Sequence, residues 1–407
     1  MGTLHFCLLS PGVAPCLLLL LLPPTFAREC AELCVARVGG GLGVEGVAVL
    51  RTLLVLREED EDEVEEGRCR RLLEMLEEHK EERRARPEQY IEPYREEVIG
   101  PLQRMGWQEG EILQVLAWFD VNSFSVVARA GGGRGRGLFP LASLLNHGCV
   151  SNTRRLVSGA RLEVRASLPV CCGEALTTHY ISPLLPRTTR RRHLAATHHF
   201  QCRCQRCLSP TDLGAHTSAL RCLGCREGWL LPPGELGAGS YCCTSCSCLL
   251  PVQDVEAREA SLRPLVEEVQ VCTSSKVQDL EGLLNKLEEQ FHPRHSFALM
   301  VKVELANRLG QEMELDGVKQ EVIVRRKEVL EELLEVMTIL HPGLSRWRGV
   351  LLYQLGQTLV EVVRRGGEGG TVLEVLQEGV RCLQYDRGDS EEAGMCQKMS
   401  QMLNDMS

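Results

Sequence analysis

The sequence predicts an α+β chain: short strands in the middle, metal-binding cysteines next, and helices alone from residue 253 to the end. Three observations predict it. Short apolar runs separated by turn residues fill Leu138 to Tyr180. Cysteines then gather at metal-ligand spacings between Cys202 and Cys248. Beyond Pro251, apolar residues recur at the spacing of one helix face.

Length and composition bound the function. A chain of 407 residues has room for about two to three domains with a sizeable core. Its 44% hydrophobic and 25% charged residues are those of a globular protein. The formal net charge of -9 lacks the basic surplus that a phosphate backbone demands, so no direct nucleic-acid partner is expected. The chain has 20 cysteines, and their paired spacing reads as zinc ligands in a reducing compartment rather than as a disulfide framework. Cys69, Cys272, Cys382 and Cys396 stand apart and read as buried thiols.

The N-terminus carries a competing signal. Cys16 to Leu22 is an apolar run followed by Pro23, Pro24 and Ala27, like the apolar region and cleavage site of a secretory signal. No Lys or Arg precedes it, it is too short to span a bilayer, and no N-x-S/T acceptor follows. The run therefore reads as an artificial or alternative first exon, and the chain as cytoplasmic or nuclear with no membrane contact.

The elements follow in order. Residues 1–44 show no sustained period and are assigned no stable fold. Val47 to Leu56 is apolar and leads into the acidic Glu58 to Glu66, a solvated loop or helix start. Residues 69–128 read as helices through Leu72, Met75, Leu76, Ile99, Leu102, Ile112, Val115 and Leu116, with Pro87 and Pro93 marking turns. Gly131 to Gly137, GGGRGRG, lacks the G-K-[ST] ending of a P-loop and reads as a flexible turn. Leu162 to Val170 and Ala175 to Tyr180 read as strands, and Arg187 to His193 as a solvated helix face. The C-terminal helices carry stripes such as Leu280, Leu284 and Leu287, Leu330, Leu333 and Met337, and Leu373, Leu376, Val380 and Leu383, which read as core in a solenoid-like bundle.

Two metal sites can be read from spacing. Cys202, Cys204 and Cys207 form C-x-C-x2-C, supplying three thiolates to a tetrahedral zinc and leaving one position, for which Cys149 is the candidate. Cys222-x2-Cys225 followed by Cys243-x2-Cys246 has zinc-ribbon spacing, although Cys242 and Cys248 compete for the second pair.

Three strings carry a family resemblance: NHGCVSN from Asn146 to Asn152, GEALTTHY from Gly173 to Tyr180, and FQCRCQRC from Phe200 to Cys207. With WFDVNSFSV from Trp118 to Val126, they resemble the SET and MYND family of protein-lysine methyltransferases, and most closely its arthropod-type members. The resemblance implies a SET β-fold with a helical insert at 45–136, a SET core at 137–183 and a zinc-bound post-SET segment at 184–208. A zinc-ribbon-like segment at 209–252 and an all-α, TPR-like domain at 253–407 would follow. It implies two cofactors, S-adenosylmethionine and zinc. The Asn146 side chain would hold the amino-acid end of S-adenosylmethionine, the His147 backbone its adenine, Phe200 would stack on that ring, and Tyr180 would stand at the mouth of a lysine channel.

The chain departs from the family pattern in places. Ser151 replaces a Pro and Gly148 a Ser, changes expected to loosen the turn. Residues 1–44 carry no Gly-x-Gly cofactor turn and no complete MYND zinc module, although Arg28, Glu29 and Cys30 resemble the end of one. The expected function is S-adenosylmethionine-dependent methylation of a lysine on a histone or cytosolic protein. The alternative is a catalytically weak or inactive adaptor that recruits protein partners through its C-terminal helices.

Overall fold

The computed structural model describes residues 44–57, 71–127, 134–158, 161–234, 239–272, 275–315, 317–386 and 390–406. The leucine run, Arg28 to Cys30, the acidic run, Cys69 and Gly131 to Gly133 lie outside them. The chain divides into two units. One holds the residues up to Asn146 with Arg155–Val164 and Thr197–His199; the other holds His147–Arg154, Arg165–Ala196 and everything from Phe200 onward.

The first unit is mainly helical because its apolar residues recur at helical spacing. Helices Val44–Arg57 and Glu109–Asn122 pack Val49, Leu50 and Leu53 with Ile112, Val115, Leu116 and Trp118. Between them run short turns of helix, and Pro87 and Pro101 stand in the first turns of theirs, where a missing N–H costs nothing. Glu111 starts the long helix by accepting the Gln108 backbone N–H at 3.1 Å. Asp120 ties the unit together: Tyr94 donates to it at 2.9 Å, and Arg83 and Arg136 pair with it at 2.9 and 3.4 Å.

The glycine-rich stretch is a correction to the expected flexible turn. Arg134–Leu138 is a strand, antiparallel to Ser123–Val127, with Gly137 opposite Phe124 and Gly135 opposite Val126. Glycine is a poor strand former, but here the partner's ladder and the Arg136 bonds to Asp120 and Ser123 impose the strand.

Strands Thr153–Ser158 and Arg161–Ala166 pair with each other. The second expected strand contracts to Thr177–Thr178, because the Asn152 side chain takes the place of a ladder partner. Its Nδ2 donates to the Ala175 carbonyl at 2.9 Å, and its Oδ1 accepts the Thr177 N–H at 2.8 Å.

Within the second unit, helix Arg187–Thr197 precedes a four-stranded antiparallel sheet. Its strand order is Leu249–Pro251, Ser240–Cys243, Trp229–Leu231, Leu220–Arg221. Among the described residues seven helices follow, from Val252–Val271 to Glu391–Met406. The stripes read from the sequence are buried at Leu280, Leu284, Leu287, Leu330, Leu333, Met337, Leu376 and Leu383, whereas Leu373 is exposed. Gly379 lets two of these helices close up, since a Cβ there would lie 2.4 Å from the Met399 sulfur. Of the isolated cysteines, Cys382 is buried and Cys272 and Cys396 are half-buried. Among the described residues no helix is long and apolar enough to cross a membrane.

Arg187–Thr197 corrects a second expectation, for Arg187 and Arg190 are buried instead of lining a solvated face. A similar buried cation, Arg154, joins the strand Thr153–Ser158 to the C-terminal helices. It donates to Asp386 at 2.6 Å and to the Leu344 carbonyl at 3.2 Å, and also to the Cys382 carbonyl. Gly343, with φ 72°, brings the same loop against the Ser167 carbonyl, where a Cβ would come within 1.9 Å. Asp386→Ala would leave a buried guanidinium without its counter-charge, an expected loss of about 3–5 kcal/mol in urea unfolding. Arg346→Ala removes the half-exposed second cation on Asp386, 3.2 Å away, and its pair with Glu392 at 2.9 Å, and is expected to cost about 1 kcal/mol or less.

Candidate functional site

Cys149 leaves the segment after His147, Cys202 and Cys204 come from the loop that enters the short helix Gln205–Leu208, and Cys207 lies within that helix. Their four sulfurs lie within 4.8 Å of one another, with Cys149 at 3.9 Å from Cys202 and 3.6 Å from Cys207. Disulfide sulfurs would be about 2.05 Å apart. A zinc tetrathiolate with bonds of about 2.3 Å has sulfur–sulfur edges of about 3.8 Å, so this donor set fits zinc in both chemistry and spacing.

The surroundings of the cluster are charged and dry. Arg190 and Arg206 are fully buried and share one carboxylate oxygen of Asp212, at 2.9 and 3.3 Å. Arg206 also donates to the Pro183 carbonyl at 2.8 Å and to the Thr217 hydroxyl at 3.0 Å, and Arg190 donates to the Leu185 carbonyl at 2.7 Å. Burial works against the Asp212 charge, but the two guanidiniums outweigh it and hold the carboxyl below its usual range. Burial, with Arg190 nearby, brings Arg206 down to about 10. Hydrogen bonds from Cys149 and Cys202 pull Cys207 down to about 6, while those to Cys202, Cys204 and Cys207, together with burial, push Cys149 up.

The second cluster is built on the four-stranded sheet. Cys222 follows strand Leu220–Arg221, and Cys243 ends strand Ser240–Cys243. Cys222 lies 3.6 Å from Cys246, and Cys225 lies 3.7 Å from Cys243. Backbone N–H groups of Gly228 and Ser245 point at the Cys225 and Cys243 sulfurs, both at 3.4 Å. Cys242 and Cys248 are exposed and stand outside this group.

Tyr180, His147 and Phe200 converge beside the first cluster. The Tyr180 backbone N–H donates to His147 Nδ1 at 3.2 Å, and His147 Nε2 lies 3.2 Å from Cys149 Sγ. The His147 ring centre is 5.3 Å from that of Tyr180 and 6.1 Å from that of Phe200. Tyr180 and Phe200 are half-buried and pack on Cys149, Ile181 and Leu194. Asn146 is exposed and belongs to the first unit. Glu174 accepts from Asn152 Nδ2 at 3.2 Å and from the Cys171 N–H at 3.1 Å, which makes it a turn residue.

The two substitutions in the NHGCVSN string tighten the turn instead of loosening it. At Gly148 a Cβ would lie 2.8 Å from Thr177 Oγ1, so the missing side chain is what allows the approach. Ser151 is fully buried and donates its hydroxyl to the Thr153 carbonyl at 3.0 Å. Arg190, Arg206, Asp212 and the His147 ring nitrogens escaped the sequence reading. Only Arg206 lies inside a cysteine string; the partners of the others are distant in sequence and leave no periodic trace.

No protein-family model matches the chain. It is 30% identical over 197 residues to the SET domain-containing protein SmydA-8, isoform A, of Drosophila melanogaster, covering 47% of this chain and 42% of that one. It is 26% identical over 200 residues to the histone-lysine N-methyltransferase ASHR1 of Arabidopsis thaliana, covering 46% and 41%. With the human N-lysine methyltransferase SMYD2 it shares 33% identity over 104 residues, covering 25% and 24%. The match thus spans less than half the length of these curated relatives. The relatives that this chain resembles over these stretches are thus a SET domain-containing protein and, by name, two lysine methyltransferases, in keeping with the resemblance carried by the three strings.

Proposed function

We propose that the chain is a SET-type, S-adenosylmethionine-dependent protein-lysine N-methyltransferase acting on a histone or cytosolic protein. The observation that carries the reading is the convergence of Tyr180, His147 and Phe200 against a four-cysteine cluster, in a chain whose relatives bear lysine methyltransferase names. The donor set suits the cofactor in kind. Phe200 offers a half-buried aromatic ring for a purine.

Bound S-adenosylmethionine would supply a methyl group on a sulfonium, open to in-line attack by a neutral amine with the neutral thioether as the leaving group. The protein's work is then chiefly alignment, which can supply several kcal/mol of such a barrier. The Tyr180 hydroxyl oxygen would accept from the lysine amine and hold its lone pair toward the methyl group. A lysine channel opening at Tyr180 would have to disfavour the charged ammonium, so that the lysine arrives neutral. Both cysteine clusters would hold zinc. The first closes the segment bearing Phe200 onto the strand that precedes Cys149, and the second stiffens the sheet. The helices from residue 253 onward offer further surface for protein partners, and a nuclear or cytoplasmic setting follows from the class of substrate.

Tyr180→Phe removes one hydroxyl and leaves the ring packing. It is expected to lower kcat for transfer of labelled methyl about tenfold to a hundredfold, with S-adenosylmethionine affinity held within about twofold. Failure of the wild-type chain to bind S-adenosylmethionine at millimolar concentration would overturn the reading. Metal analysis should find about two zinc ions per chain. Cys207→Ser and Cys225→Ser should each lose one of them, and Cys242→Ser neither.

A further inference from the structure

One imidazole in the second unit touches three components of the proposed reaction centre. His147 Nδ1 accepts the Tyr180 backbone N–H at 3.2 Å, and an accepting ring nitrogen carries no proton. The proton of the neutral ring is therefore on Nε2, which faces the Cys149 sulfur at 3.2 Å. The same ring lies 6.1 Å, centre to centre, from Phe200. Local geometry enforces this. The Gly148 N–H donates to the Thr178 carbonyl at 3.0 Å, which fixes the register of His147 and Cys149 beside the segment that ends in Tyr180.

We propose that His147 is a positioning residue that couples metal occupancy of the Cys149, Cys202, Cys204 and Cys207 cluster to the placement of Tyr180. The proposal rests on the methyltransferase reading. A sulfur bound to zinc is a stationary, charged acceptor, whereas a free thiol rotates and can itself donate. An Nε2–H bond to a metal thiolate fixes both the tautomer and the plane of the ring, as the outer partners of metal ligands do. The lone pair on Nδ1 is then aimed at one place, and the Tyr180 peptide is held there. Loss of the metal would accordingly release the tyrosine backbone as well as the segment that bears Phe200. Because transfer depends on alignment at the scale of an ångström, that release would appear in kcat.

The wild-type chain tests the coupling without mutation. With tyrosine labelled by ¹⁵N, and the Tyr180 signal identified by its absence in Tyr180→Phe, the amide resonance should move between the zinc-loaded and cadmium-loaded forms. An identical Tyr180 amide in both forms would overturn the proposal. Two variants add a second readout in the cobalt-loaded protein. His147→Asn keeps an acceptor near the Tyr180 amide but is too short to reach Cys149, and His147→Ala keeps neither contact. Both should retain full metal content and shift the sulfur-to-cobalt absorption band to lower energy, because the thiolate loses a donor. Only His147→Ala should displace the Tyr180 amide fully, with kcat down about tenfold and partial rescue in His147→Asn. A cobalt band unmoved in both variants would also sink the idea. If the wild type transfers no methyl group, the methyltransferase reading falls alone, because the amide and cobalt measurements still decide whether His147 links the cluster to Tyr180.

Discussion

Cys149 has to meet Cys202, Cys204 and Cys207 before the middle of the chain can hold its shape. The four sulfurs come from two stretches separated by a hairpin, a turn and a helix, yet they lie within 4.8 Å of one another. That meeting places Phe200, at the start of the cysteine-rich loop, beside His147, two residues before Cys149. It also sets Tyr180 against the same small apolar group, with Ile181 and Leu194 behind it. A metal bound there would contribute its binding free energy directly to folding, because the ligand set does not exist in the unfolded chain. Closing so long a loop is entropically costly, and the local contacts of the loop alone are too few to offset it.

Buried arginines carry much of the remaining specificity. Arg190 and Arg206 are completely enclosed and share a single carboxylate, Asp212, against the first cysteine cluster. Their surplus positive charge suits thiolates better than thiols at that position. Arg154 plays a comparable part at the other end of the unit, where its bonds reach Asp386 and the carbonyls of Leu344 and Cys382. Such networks add little net stability over a well-packed apolar alternative, but they tolerate only one arrangement, since a misplaced partner leaves a charge buried and alone. The C-terminal helices are therefore tied to Arg154 and Ser167 by contacts of fixed geometry, which is more than adjacency along the chain would provide.

Legibility in the sequence followed the range of the interaction. The helical stripes around Leu284, Leu333 and Leu376 were readable because periodic burial on one face leaves a periodic pattern. The cysteine groups were readable because a tetrahedral ion imposes short, fixed spacings on two of every pair. The strand at Arg134–Leu138 was not, because its conformation is imposed by Ser123–Val127 and its own residues argue for a turn. The burial of Arg190 was hidden for the same reason: a run of arginines looks solvated until the partner carboxylate and carbonyl are in place.

The candidate site divides along the same line. Spacing and the three short strings by themselves carried the family resemblance, showed that the cysteines between Cys202 and Cys248 stand at metal-ligand spacings, and marked Tyr180 and Phe200 as aromatic groups at notable positions. These are properties of residue type and local separation. Only the tertiary structure decided that His147 turns one ring nitrogen to Tyr180 and the other to Cys149. Only it decided that Cys242 and Cys248 stay outside the second cluster, and that Gly148 tightens its turn. Each of those outcomes depends on where a sequence-distant atom lies to within a fraction of an ångström, which no local pattern encodes.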